Sequence, residues 1–124
     1  MKRPYEVTVM GWMFIAVGVL AFAYHLTQVP TFHPFPIDLL EIFAVELLAF
    51  VAGLYVLRGR SWARWLAVLW MAGHLIGNIF FFRHGILVHA VLLALIAYAL
   101  FRPASTAYFR SGSSRLQARG LSGQ

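Results

Sequence analysis

Apolar residues fill four long stretches of this chain, and the ionisable residues fall between them. The stretches run from about Val7 to Val29, Asp38 to Leu57, Trp62 to Phe82 and Gly85 to Phe101. Each is near the ~20 residues (range roughly 17–25) that a helix needs to cross the hydrocarbon of a bilayer. The breaks carry turn chemistry. Pro30, Pro34 and Pro36 interrupt the chain after the first stretch, because proline lacks the amide proton and pushes its predecessor out of the helical region. Arg58-Gly59-Arg60-Ser61 joins the second stretch to the third, with Ser61 as the expected N-cap. Arg83-His84-Gly85 turns the third into the fourth. Short connections set sequential helices side by side and antiparallel. The pattern predicts an all-α, polytopic membrane protein, an antiparallel four-helix transmembrane bundle within residues 1–102. Residues 103–124, rich in Ser, Gly and Arg, are expected to form a disordered basic cytoplasmic tail.

Composition supports lipid as the solvent. Hydrophobic residues make up 61% of the chain and charged residues only 11%, whereas a soluble domain is about half apolar. The chain has no cysteine, which excludes disulfides, thiol catalysis and iron–sulfur ligation. The basic start, Lys2 and Arg3, precedes an apolar run too long for a signal-peptide core, so the first stretch is read as a retained span. No phosphate-binding glycine loop, HExxH or nucleophile-elbow motif occurs. Neither nucleotide nor nucleic acid is expected as a partner, and a non-enzymatic role is expected.

The net charge of +6 reflects topology. Lys2, Arg3, Arg58, Arg60, Arg64, Arg102, Arg110, Arg115 and Arg119 all flank one side of the apolar stretches, and Arg83 flanks the other. The positive-inside rule then predicts a bacterial-type inner (plasma) membrane protein with both termini cytoplasmic. The lipid bilayer is the expected environment. A chain this small, with little interior of its own, is expected to self-associate or to join a larger membrane partner.

The remaining polar residues gather toward the outer side. With about 1.5 Å of rise per residue, Glu46 and His74 lie roughly 12 Å inside. His25, Glu41, Asn78 and His89 are shallower. Asp38 opens the second helix, and His33 and His84 fall in the outer connections. At 100° per residue, Gly11, Gly18 and His25 share one stripe, as do His74 and Asn78, with Gly73 and Gly77 beside them. Small residues mark faces where membrane helices approach, so Gly11, Gly18, Gly73 and Gly77 are the expected packing positions. Asp38, Glu41 and Glu46 lie within an arc of about 140°.

A carboxylate in hydrocarbon costs about 2.5–3.5 kcal/mol on insertion scales, so Glu46 must be protonated, paired or wet. His74, at the same depth, is its expected partner. Several readings follow. The first reading of the cluster is hydrogen-bond glue between helices. Behind it stand a proton or cation site built from Glu46, His74, Glu41 and Asn78 and a transition-metal site using His25, His74, His89 and Glu46, with haem held by two of the histidines last. The expected role is that of an accessory subunit or a transporter protomer, with a metal- or haem-binding membrane protein as the alternative.

Overall fold

The computed structural model describes residues 2–29, 37–82 and 85–123. These form five helices and, among the described residues, no strand: α1 (Tyr5–Gln28), α2 (Ile37–Leu57), α3 (Ser61–Gly77), α4 (Ile86–Phe101) and α5 (Pro103–Ser122). A π-helical turn, Asn78–Phe82, continues α3. Two helices are long and apolar enough to cross a membrane, α1 and the Asp38–Leu57 part of α2. The 17-residue α3 and the 16-residue α4 are shorter. Helix α4 reaches that length only together with α5, to which it is bent by 57°. His33, Arg83 and His84, and the three prolines after α1, lie outside the described residues.

Helix α2 ends where glycine allows it. Gly59 adopts φ +71°, its amide donates to the Val56 carbonyl, and the Arg60 amide reaches back to Tyr55 O at 3.0 Å. This is the paired-bond C-terminal motif that needs a left-handed residue. The freed Leu57 carbonyl accepts from Arg3 Nη1 (2.9 Å) and Tyr108 OH (3.1 Å). Ser61 does not cap α3 as expected. Arg60 occupies the cap without a side-chain bond, and the Ser61 hydroxyl turns to Phe109 O and Ser113 Oγ.

Helices α1 and α2 make the closest contact, through two stripes of seven-residue spacing. On α1 the stripe is Gly11, Gly18 and His25; on α2 it is Glu46 and Gly53. A Cβ on Gly53 would meet Gly11 O at 2.6 Å, and one on Gly18 would meet Phe50 N at 2.7 Å. Backbones touch there because neither helix carries a side chain. The numbering rises on α1 as it falls on α2, so the pair is antiparallel. Tyr55 against Trp62 and Val45 against Trp70 set the same sense for α2 and α3. His74 beside His89 and Trp65 on Phe101 do so for α3 and α4. Phe14 and Phe109 are the largest side chains fully buried in the core, which also includes Ala49, Ala52, Val56, Ala67 and Leu100.

Residues 103–122 differ from the expected disordered tail. They form α5, with Pro103 in its first turn, where a missing amide proton costs nothing. Phe109 is fully buried and Ser105 is buried beside it, its hydroxyl on Ala99 O at 2.6 Å. Arg64 does not simply reach outward. It lies over the Phe101 and Phe109 rings and donates to Thr106 Oγ1. Ser105, Phe109, Gly112 and Ser113 share one face at helical spacing, and that face docks α5 on the α2–α3 turn.

Candidate functional site

Three helices line an open-sided cavity of about 870 Å³. Helix α1 contributes Gly18, Ala21 and His25; α2 contributes Asp38, Glu41 and Glu46; α3 contributes Trp70, Gly73 and His74, with Gly77 and Asn78 beyond. Most of the remaining wall is Val, Ile and Leu. No Lys or Arg among the described residues lines it. The cavity is thus apolar with an acidic side.

Glu46 is the centre of the site. It is 6% exposed, and its Oε1 is bonded to His25 Nδ1. The same Nδ1 lies 3.1 Å from Ala21 O, one turn back. A carbonyl oxygen can only accept, so Nδ1 carries the proton and donates. The second carboxyl oxygen, Oε2, is buried with no hydrogen-bond partner. A buried, half-satisfied carboxyl is a costly group to keep. Asp38 and Glu41 are exposed at the same cavity.

The expected pairing of Glu46 with His74 is corrected here: the partner is His25. Depth matched Glu46 to His74, but the glycine stripes draw α1 and α2 together, and His25 follows Gly18 on that stripe. His74 has other partners. Its Nδ1 bonds to Trp70 O at 3.0 Å, its ring lies 3.9 Å from the Trp70 ring, and its carbonyl accepts from Asn78 Nδ2. The Trp70 indole donates to Val45 O at 2.7 Å, which ties α3 to α2 beside Glu46.

His89 stands outside the cavity lining. It sits parallel to the His74 ring at 6.4 Å, and its Nδ1 bonds to Gly85 O. The set His25, His74, His89 and Glu46 is therefore drawn into two pairs. Among the described residues no group of three or more His, Asp or Glu side chains is arranged to hold a metal ion. Gly73 and Gly77 also depart from expectation. A Cβ on either would meet nothing within 4 Å, so they open the cavity wall instead of packing against another helix of the chain. Gly53 is the packing residue that the sequence reading missed, although its spacing of seven from Glu46 marks it.

Comparison with protein-family models, with curated proteins and with solved structures finds no match. The chemistry of the site is the guide to function.

Proposed function

We propose that the protein is a small integral membrane protein of the transport type, a protomer or subunit that binds a lipophilic organic cation in the α1–α3 cavity in exchange for a proton on Glu46. The observation that carries this reading is the unpartnered, buried Glu46 Oε2 in an apolar cavity that has carboxylates but no Lys or Arg among its described lining residues. The buried Oε2 has no hydrogen-bond partner, and an unsatisfied carboxyl oxygen is costly to bury. A bound cation supplies the missing partner and displaces the proton. His25 holds Oε1 and fixes the carboxyl in place. Asp38 and Glu41, at the same cavity, attract the cation to it.

In this proposal α1 to α4 cross a bacterial-type inner membrane with both termini cytoplasmic. The placement of the basic residues supports it. Helix α3 gains length from its π turn, and α4, about 24 Å long, spans through local thinning of the bilayer.

The test is calorimetric titration of the purified protein with tetraphenylphosphonium in a neutral detergent. Wild type should bind more tightly as pH rises and release protons on binding, because cation and proton compete for one carboxyl. Glu46→Gln should lose both effects. Equal binding by Glu46→Gln, or binding without proton release, would sink the reading.

A further inference from the structure

At the far end of the molecule from the Glu46 cavity, four arginines line one groove of about 560 Å³. Arg58 and Arg60 come from the α2–α3 turn. Arg115 and Arg119 come from α5, four residues apart and so on one face. Leu116, Ala118 and Gly112 complete the lining. The two halves are held in register by close packing. A Cβ on Gly112 would meet Gly59 O at 2.7 Å, Ser61 and Ser113 share a hydrogen bond at 3.0 Å, and Phe109 is fully buried between them and the core.

Among the described residues the groove has no side-chain counter-ion. The sequence holds four acids, Glu6, Asp38, Glu41 and Glu46. Glu6 is paired with Arg102 and Glu46 with His25, and Asp38 and Glu41 line the opposite cavity. Among the described residues no carboxylate reaches the groove arginines. The Arg58 guanidinium lies over the Tyr55 ring, 5.4 Å from its centroid. Four like charges in one groove repel each other, so an anion from outside relieves them. The guanidinium fork matches phosphate oxygens in a bidentate manner.

We infer that this groove binds a phosphate group, presented by an anionic lipid headgroup. The choice of phosphate stands on the charges alone. The lipid source rests on the membrane reading above, because Arg58 and Arg60 sit where the apolar α2 and α3 end, at the headgroup level of such a membrane.

Native mass spectrometry of the full chain in neutral detergent tests this, with phosphatidylglycerol, phosphatidylcholine or inorganic pyrophosphate added. Wild type should retain phosphatidylglycerol about tenfold over phosphatidylcholine. Arg115→Ala/Arg119→Ala and, separately, Arg58→Ala/Arg60→Ala should each lose that preference, with helical circular dichroism unchanged. Arg110→Ala, outside the groove, should keep it. Displacement of the lipid by pyrophosphate would keep the phosphate site and move its source to a soluble ligand. Unchanged retention in both double variants, or an equal loss in Arg110→Ala, would overturn the proposal. Neither result bears on cation binding at Glu46, so the two readings fail separately.

Discussion

Gly18 lies directly against the Glu46 backbone: a Cβ at Gly18 would stand 2.8 Å from the Glu46 carbonyl oxygen. The residue that lets α1 approach α2 lies seven residues, about two turns, before His25 on the same stripe. Packing and chemistry are set by the same contact. Since backbone atoms are the obstacle, they cannot give way as a flexible side chain would. Gly18→Ala should therefore destabilise the protein by about 1–3 kcal/mol, the usual range for overpacking, and should loosen the His25–Glu46 bond. Gly73→Ala, which meets open space, should leave the unfolding midpoint unchanged. Thermal unfolding of the two variants in one detergent checks the contrast.

The His25–Glu46 pair makes a second prediction. Among the described residues His25 is the one hydrogen-bond partner of the Glu46 carboxyl, so His25→Ala leaves both its oxygens unpaired in a buried site. The cost expected for such an orphaned group is about 1–3 kcal/mol. His25→Ala and Glu46→Gln should couple, because each alters the same hydrogen bond. His74→Ala should show no coupling to Glu46→Gln. A double-mutant cycle on unfolding free energies measures both, and a coupling larger for His74 than for His25 would contradict the geometry.

How far the sequence could carry this site follows from those residues. The four apolar stretches lie close to the helices, because long apolar runs and turn residues signal their own ends. The Gly11–Gly18–His25 stripe was legible from its spacing of seven. Its complement, Gly53 and Glu46, has the same spacing, but depth along the helices pairs Glu46 with His74 instead. Depth places two groups at one level but does not say which helix is nearest. That is decided by where backbones can touch, and the glycines on α1 and α2 decide it. The His74–Asn78 face was also legible, and it does line the cavity with Glu46.

Helix α5 was hidden for a different reason. Its average composition is polar, which is the signature of disorder, but average composition ignores placement. Tyr108 and Phe109 are its aromatic residues, and Phe109 falls among small residues on one face. Phe109→Ala should free α5, since removing a buried phenylalanine costs about 3–5 kcal/mol. Limited trypsin digestion reads this out at Arg110, Arg115 and Arg119. Wild type should be cut slowly there and Phe109→Ala quickly, while Leu121→Ala, at an exposed position, should match wild type. Equally fast cutting of wild type would return the segment to a disordered tail.

The number of spans can be settled with the chain's own lack of cysteine, which makes any introduced thiol a unique label. Asp38 and Ser122 are exposed, and position 84 lies between the π turn and α4. With four spans and cytoplasmic termini, an impermeant maleimide added to spheroplasts should label Asp38→Cys and His84→Cys but spare Ser122→Cys. Inverted vesicles should show the reverse. If only α1 and α2 cross, His84→Cys joins Ser122→Cys on the inner side. If α4 and α5 together act as a bent span, position 84 and position 122 fall on opposite sides, with position 84 inside. The buried Phe109 and the arginines at Arg110, Arg115 and Arg119 argue against that last arrangement. Carrying three arginines across the hydrocarbon would cost about 2.5–3.5 kcal/mol each on insertion scales, whereas α5 docked at the α2–α3 turn leaves them at the headgroups.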